Sequence, residues 1–273
     1  MFKKKSNPDE MSFFEHLEDL RFTIIRSVLG ILIFAILAFL FKDFIFNTII
    51  LGPQKPDFIT NQLLCSLGTL IDSDAICINQ EDIKIINIEI AGQFKAHLLI
   101  SIIAGFVLGM PIVLREIWNF VKPALNPGEQ KGYYFSLFIS SILFFIGVAF
   151  GYFMLSPVTI DFLSTYVLDT TIENHIRLGS YVRIITMLCL ATGIVFEMPL
   201  IIIFLTANRI ITTNILRKYR KHVIIFFLII SAIITPPDVI SQFLVSIPMY
   251  LLYEISIRIA RIMERKLAKD MDF

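Results

Sequence analysis

The residue with the clearest chemical consequence is Glu197, a carboxylate within the apolar stretch 181–205. An ionised carboxylate at the centre of a membrane helix costs roughly 2.5 to 3.5 kcal/mol, so such an acid normally faces a protein interior or a wet cavity. Pro199 follows two residues later and removes a backbone donor, which favours a break in the helix. An acid beside a break is typical of a membrane helix that lines a cavity. The alternative is a protonated Glu197 that packs against a neighbouring helix through a hydrogen bond.

A second group of acids lies near the amino terminus. Ser12 and Glu15 have the spacing of a capping box, which predicts that a helix begins there and that Glu15 is engaged by the helix end. Glu18 and Asp19 lie opposite the apolar stripe of this helix and are available to bind a cationic partner. The alternative is an ordinary solvated face on which Glu18 pairs with Arg21, a pair worth roughly 0.2 to 0.5 kcal/mol.

The composition indicates that these acids belong to an integral membrane protein. Apolar residues make up 56% of the 273 residues, 26 residues are phenylalanine, and the mean hydropathy is +0.76. The formal net charge of +1 says nothing about nucleic acid, but the sequence shows no basic and aromatic patch, so no nucleic-acid partner is predicted. No Cys-x-x-Cys pair or His/Cys cluster occurs, so no metal site is predicted.

Hydropathy and charge predict an all-α integral membrane protein with six transmembrane helices and both termini in the cytoplasm. The loop after the fourth apolar stretch contains several basic residues and no acid, which makes it cytoplasmic and orients the rest. The predicted transmembrane segments are 22–42, 98–118, 133–155, 181–207, 223–235 and 242–260. The predicted periplasmic segments are 43–97, 156–180 and 236–241. The predicted cytoplasmic segments are 1–21, an amphipathic helix, together with 119–132, 208–222 and 261–273.

The last two predicted segments are short. About twelve apolar residues in the fifth reach only about 18 Å as a helix, against a hydrocarbon core of about 30 Å. We therefore expect local thinning of the bilayer, a hairpin hidden behind other helices, or both, within a concave bundle. Two glycine pairs with G-x-x-x-G spacing, Gly105 with Gly109 and Gly147 with Gly151, predict close contacts between helices.

Three cysteines leave one pairing to consider. Cys65 and Cys77 both lie in the segment predicted to be periplasmic, where an oxidising compartment permits a disulfide between them. Two reduced, partly buried thiols are the alternative. Cys189 lies in the fourth transmembrane segment and is expected to act as a small hydrophobic residue.

Four stretches of the sequence resemble the TatC family, the multispanning core subunit of the twin-arginine protein translocase. They are FFEHLEDLR at 13–21, PIVLREIWNFVKPALNPGE at 111–129, SYVRIITMLCLATGIVFEMPLIII at 180–203, and TPPDVISQFLVSIPMYLLYEI at 235–255. They occur in the family's order and cover nearly the whole chain. The resemblance implies export of folded proteins across the bacterial cytoplasmic (inner) membrane, driven by the proton motive force and without a bound cofactor.

The resemblance also implies partners. They are twin-arginine signal peptides of folded precursors, single-span subunits of the TatA and TatB kind, membrane lipid, and further copies of the chain in the translocase.

The resemblance further implies roles for individual residues. Asp19 and Glu129 would recognise the paired arginines, with Phe120 beside Glu129, Arg21 in the amino-terminal motif, and Glu18 able to share the role of Asp19. Carboxylates accept bidentate hydrogen bonds from a guanidinium but not from an ammonium, which explains a demand for arginine over lysine. The remaining matches are an intramembrane position at Glu197, an outer-loop proline at Pro53, and Asp238, Gln242 and Glu254 in the last motif.

Two other classes of protein were weighed against this one. A proton-coupled small-molecule transporter could use Glu197 as its relay, but the sequence shows no inverted repeat. An enzyme is disfavoured because no H-E-x-x-H, G-x-S-x-G or phosphate-loop motif is present.

Overall fold

The computed structural model describes residues 13–71, 77–79, 83–122, 133–169, 171, 174–208, 210–235 and 239–269. Its helices, in chain order, are α1 (Phe13–Leu40), α2 (Lys42–Phe44), α3 (Ile59–Ile71), α4 (Gly92–Val121), α5 (Tyr133–Phe150), α6 (Ser156–Thr165), α7 (Leu178–Phe196), α8 (Met198–Ala207), α9 (Thr213–Lys218), α10 (Arg220–Ile234) and α11 (Val239–Lys269). π-helical turns at Ile45–Ile50 and Gly151–Leu155 follow α2 and α5. Two-residue strands β1 (Ile85–Ile86) and β2 (Ile176–Arg177) pair in parallel.

Five helical stretches of the described residues are long and apolar enough to cross a membrane. They are His16–Leu40, Gly92–Val121, Phe135–Thr165, Leu178–Ala207 and Ser241–Glu264. The third stretch continues from α5 through the π-helical turn into α6, so the helix extends ten residues past position 155, to Thr165. The predicted α-helical class is therefore confirmed.

The prediction that the last two segments are short is right for one of them and wrong for the other. Helix α10 has 15 residues, and at 1.5 Å per residue it reaches only about 22 Å. Helix α11 has 31 residues and contains a candidate span of 24. The sequence-based bounds followed the apolar run, whereas the helix continues through the charged residues that come after it.

Helices α1 and α4 lie antiparallel in close contact along their length. A Cβ atom on Gly105 would come within 2.7 Å of the backbone of Ala35, and one on Gly109 within 3.2 Å of Ile31 Cα. The ring of His97 stacks on Phe39 at 4.0 Å between centroids. The first glycine pair therefore allows close backbone approach, as predicted.

The second glycine pair brings α5 and its π-helical turn against α7. A Cβ on Gly147 would lie 2.6 Å from the carbonyl oxygen of Thr192, and one on Gly151 would lie 2.8 Å from that of Leu188. Gly193 on α7 faces the ring of Phe144 in return. We call this line of contact between α5 and α7 a seam. Glu197 lies at its end, so the packing of α5 against α7 determines what surrounds that acid.

The cap, which we define as the described residues between α1 and α4 (41–71, 77–79 and 83–91), closes one end of the bundle. The side-chain amide of Asn79 donates to the carbonyl of Pro157 at 3.1 Å, and its backbone N–H donates to Asp161 Oδ1 at 2.7 Å. Asn79 has a φ of 51°, in the left-handed region that Asn tolerates better than most residues. The cap is thereby fixed to α6.

A second attachment of the cap runs through β1. Strand β1 pairs with β2, and the carboxylate of Glu89 contacts Arg177 at 2.6 Å and Lys95 at 3.2 Å. The hydrogen bond and charge of Lys95, together with Arg177, hold the pKa of Glu89 below its ordinary value. The start of α4 and the start of α7 are thereby connected through one exposed carboxylate.

Candidate functional site: the amino-terminal surface and Glu197

Asp19 lies on the side of α1 that faces α4. The partly or fully buried positions of α1 recur as 19, 23, 27, 30, 31, 34, 35 and 38, at the spacing of one helix face. Glu18 and Arg21 fall outside this stripe and are exposed. The apolar residues Leu17 and Ile24 are also exposed, by 44% and 54%. The first part of the helix therefore turns Asp19, Thr23 and Ser27 toward α4 and its apolar side outward.

His16 joins this helix end to the end of α4. Its ring stacks on Phe120 with 4.4 Å between centroids and 25° between ring planes. Farther along α1, Arg26 contacts Glu116, which lies one turn of α4 before Phe120, at 3.5 Å. Because positions 16 and 19 are neighbours on a helix surface, the stacking brings Asp19 toward the last turn of α4. We call residues 14–21 of α1 and 116–122 of α4 the amino-terminal surface.

Two of the predicted site residues, Glu129 and Asp238, lie outside the described residues. Helix α4 ends at Val121, capped by Lys122, so Glu129 follows the amino-terminal surface by seven residues of chain. Within the described residues, Asp19 and Arg21 form no ion pair. Trp118 packs edge-on against Phe204 at 5.8 Å, which attaches the end of α4 to α8.

Glu197 is buried in the seam between α5 and α7. Its side chain is 7% exposed, and the hydroxyl of Ser140 donates to its Oε2 atom at 2.6 Å. Its Oε1 atom is buried and has no hydrogen-bond partner among the described residues. The contact with Ser140 is the one expected of an acid that packs against a neighbouring helix. A cavity of about 670 Å³ lies elsewhere, beneath the cap. The wet cavity that the sequence predicts beside Glu197 stays a prediction.

The helix is interrupted at Glu197 as the sequence predicts. Helix α7 ends at Phe196, Glu197 has a ψ of −14°, and α8 begins at Met198 with Pro199 in its first turn. A proline in the first turn of a helix costs no intrahelical hydrogen bond, because the N–H that it lacks would have no acceptor within the helix. The carbonyl of Glu197 accepts from the N–H of Leu200 at 3.1 Å, which restarts the helix on the far side of the break.

Gln242 and Glu254 connect α11 to α10. The side-chain amide of Gln242 donates to the carbonyl of Leu228 at 3.0 Å. Glu254 Oε2 accepts from Arg220 at 2.7 Å, and its other oxygen accepts from the hydroxyl of Tyr250 at 3.1 Å. Both residues are therefore engaged within the chain, and they hold the short helix α10 against the long helix α11.

Pro53 and the two cysteines belong to the cap. The buried Pro53 presents its carbonyl to the amide of Asn61 at 3.2 Å and to that of Asn79 at 3.4 Å. The structure joins Cys65 and Cys77 in a disulfide, two residues before Asn79, while Cys189 is free and buried. The disulfide thus lies next to the contacts that hold the cap to α6.

Three residues of this arrangement were missed by reasoning from sequence. His16 had a detectable signal, because it stands three positions before Asp19 on the same helix. Ser140 and Asn79 had none, because a serine in a transmembrane helix and an asparagine in a long loop are both ordinary. Their roles depend on residues 57 and 78 or more positions away.

These features define a polytopic α-helical membrane protein. It has long apolar helices, a helix broken at a buried acid, and a cap over one end of the bundle. The family model described as "Sec-independent protein translocase protein (TatC)" matches residues 15–248. The chain belongs to the TatC family.

Several members of the family are similar over almost their full length. The TatC protein of Blattabacterium sp. subsp. Periplaneta americana is 37% identical over 264 residues, which cover 96% of this chain and 99% of that protein. TatCy of Bacillus subtilis is 31% identical over 261 residues, covering 96% and 93%. A crystal structure of the twin-arginine translocase receptor TatC superposes with a TM-score of 0.72 at 30% identity, covering 90% of this chain and 99% of that one.

Membership in this family distinguishes a translocase subunit from the two alternatives, a small-molecule transporter and an enzyme. The chain is a multi-pass membrane subunit of a protein translocase, a family not known as an enzyme. As a Tat translocase component it works with other Tat subunits. The alternative of a proton-coupled small-molecule transporter finds no support in these comparisons.

Proposed function

We propose that this chain binds twin-arginine signal peptides and organises the export of folded proteins driven by the proton motive force. The binding site is the amino-terminal surface together with Glu129. The observation that carries the proposal is the stacking of His16 on Phe120, which sets Asp19 beside the end of α4 from which the chain continues to Glu129. Two carboxylates at one site match two guanidinium groups, each able to accept paired N–H donors.

The site also suits the apolar part of a signal peptide. Phe14 is 78% exposed and Leu17 44% exposed on the side of α1 turned away from α4. A signal peptide that places its arginines at Asp19 and Glu129 can continue along this apolar side toward the lipid. Arg21 and Glu18 are exposed at the edge of the same surface and tune its charge.

The topology follows from the same assignment. The chain crosses the bacterial cytoplasmic membrane six times, with α10 as the fifth crossing and both termini in the cytoplasm. The cap and the segment 156–180 are then periplasmic. A periplasmic cap agrees with a disulfide between Cys65 and Cys77, since the bacterial periplasm is oxidising.

Glu197 and Gln242 are proposed as the polar contacts for partner helices within the membrane. The unpartnered Oε1 atom of Glu197 supports this role, because a hydroxyl or amide of a TatA-like or TatB-like helix would satisfy it. Binding at Glu197 then requires α5 and α7 to part slightly at Ser140. Asp238, Pro53, Pro199 and Glu254 shape the scaffold around these contacts.

The experiment that tests the proposal is export of a folded reporter protein. Cells that contain this chain with its partner subunits should export a reporter whose signal carries Arg-Arg and should fail to export the same reporter carrying Lys-Lys. The matched control is Asp57→Ala, an exposed carboxylate of the cap, which should leave export unchanged while Asp19→Ala reduces it. Equal export of the two reporters would contradict the proposal.

A further inference from the structure

A cavity of about 670 Å³ lies beneath the cap, where α1 ends and α4 begins. Its roof is the stretch around β1, including Ile85 and Asn87, and its floor includes the buried Ala38 and Ile100. The volume falls within the range of about 300 to 1,000 Å³ that is usual for ligand pockets. None of the roles proposed above uses this cavity.

The residues that line the cavity are apolar at one end and polar at the other. Ala38 and Ile100 belong to the two candidate membrane spans His16–Leu40 and Gly92–Val121, so the apolar floor lies at the depth of the lipid tails. Lys42, Asp43 and Asn47 follow the end of α1, and they line the cavity at the level where lipid headgroups lie. A ligand that fills the cavity must therefore be apolar at one end and polar at the other.

The polar end of the cavity offers both signs of charge. Lys42 and Asp43 are adjacent and exposed, and within the described part of the chain neither forms an ion pair. The side-chain amides of Asn87 and Gln93 also line this cavity and add amide oxygens as acceptors. A cation and an anion that face one cavity are complementary to a zwitterion whose phosphate meets Lys42 and whose ammonium meets Asp43.

We propose that this cavity binds the headgroup of an aminophospholipid of the phosphatidylethanolamine class. Its primary ammonium can donate hydrogen bonds to Asp43 and to the neighbouring amide oxygens. A quaternary ammonium has no N–H to donate, and a headgroup without an amine leaves Asp43 unpaired. The glycerol backbone and the start of an acyl chain lie along the floor, beside Phe94, which is 63% exposed.

The test is lipid retention by the purified full-length protein. Native mass spectrometry would compare phosphatidylethanolamine, phosphatidylcholine and phosphatidylglycerol with identical acyl chains, offered at equal concentration. We expect phosphatidylethanolamine to be retained at least about threefold better than the other two, the scale of one charge contact at a partly exposed site. Equal retention of the three lipids would overturn the proposal.

Variants separate this cavity from general contact with lipid. Asp43→Asn should remove the preference, whereas Lys42→Gln should lower the retention of all three lipids, since each of them carries the phosphate. Lys84→Gln and Asp57→Asn should change neither, since these two exposed cap residues do not line the cavity. A preference that survives in the Asp43→Asn protein would place the lipid elsewhere and overturn the assignment. Because no precursor or partner subunit takes part, the outcome is independent of signal-peptide binding.

Discussion

At the scale of single residues, the two carboxylate oxygens of Glu197 differ in their hydrogen bonding. Ser140 satisfies one carboxylate oxygen, and the other is buried without a partner among the described residues. A buried polar atom without a partner is destabilising by about 1 to 3 kcal/mol, so a bond to this oxygen would be favourable. Glu197 therefore connects α5 to α7 through Ser140, and its second oxygen is the atom proposed above to bind a partner helix.

The hydrogen bond between Ser140 and Glu197 predicts a measurable contribution to stability. Ser140→Ala should lower the free energy of unfolding by about 0.6 kcal/mol and by at most about 1.7 kcal/mol, the range found for hydrogen bonds between membrane helices. Denaturation of the purified protein in detergent measures this difference.

Ser141→Ala is the matched control for this prediction. Among the described residues, the hydroxyl of Ser141 donates to the carbonyl of Leu137 in its own helix, at 3.0 Å, and to no other atom, so its loss should leave the contact between α5 and α7 intact. Equal destabilisation by the two substitutions would show that the bond to Glu197 adds nothing.

At the scale of elements, two antiparallel seams built on small residues hold the long helices together. Gly105 and Gly109 allow α1 to approach α4 closely, and Gly147 and Gly151 allow α7 to approach α5 closely. Without a hydrophobic drive between helices in lipid, such close packing supplies much of the association energy. The seams place Asp19 at one end of the molecule and Glu197 at the break between α7 and α8.

The close packing in the second seam predicts that one methyl group added at Gly147 lowers the stability of the protein. Gly147→Ala places a Cβ 2.6 Å from the carbonyl oxygen of Thr192 and 2.9 Å from Gly193 Cα, so backbone must shift. Overpacking of this kind costs about 1 to 3 kcal/mol, which denaturation in detergent can detect. Gly179→Ala is the control, because its Cβ meets nothing within 4 Å. A Gly147→Ala protein as stable as the Gly179→Ala protein would contradict the packing described for this seam.

The attachment of the cap through Glu89 predicts a dependence on pH. The pKa of Glu89 is lowered in the folded protein from 4.5, so its contribution is complete above that value and is lost as the pH falls through the lower, folded value. Hydrogen exchange at β1 and β2, corrected for the intrinsic effect of pH, should therefore increase in acid. The change should be small and should weaken in high salt, since the group is exposed.

Glu89→Gln provides the comparison for this pH dependence. The amide does not titrate, so the added exchange in acid should disappear. If the variant shows the same increase as the unaltered protein, then Glu89 is not the group responsible.

At the scale of the whole molecule, the sequence is enough to predict the α-helical class, the break at Glu197 and both glycine seams. Each of these depends on residues close together in the chain, such as Glu197 with Pro199. The cap was beyond such reasoning, because two-residue strands have no periodicity and Asn79 is held by Pro157, 78 positions away. The length of α11 was also missed, since apolar content does not report where a helix ends.

The central claim is that the amino-terminal surface and Glu129 together bind the paired arginines of a signal peptide. Site-specific crosslinking of a twin-arginine precursor to the membrane-inserted chain measures this most directly. Asp19→Ala and Glu129→Ala should each reduce crosslinking about tenfold or more, since a charge-assisted contact is worth about 1.5 to 3 kcal/mol. Asp57→Ala should leave crosslinking unchanged, and all variants should leave membrane insertion unchanged. Undiminished crosslinking in both the Asp19 and the Glu129 variants would contradict the account.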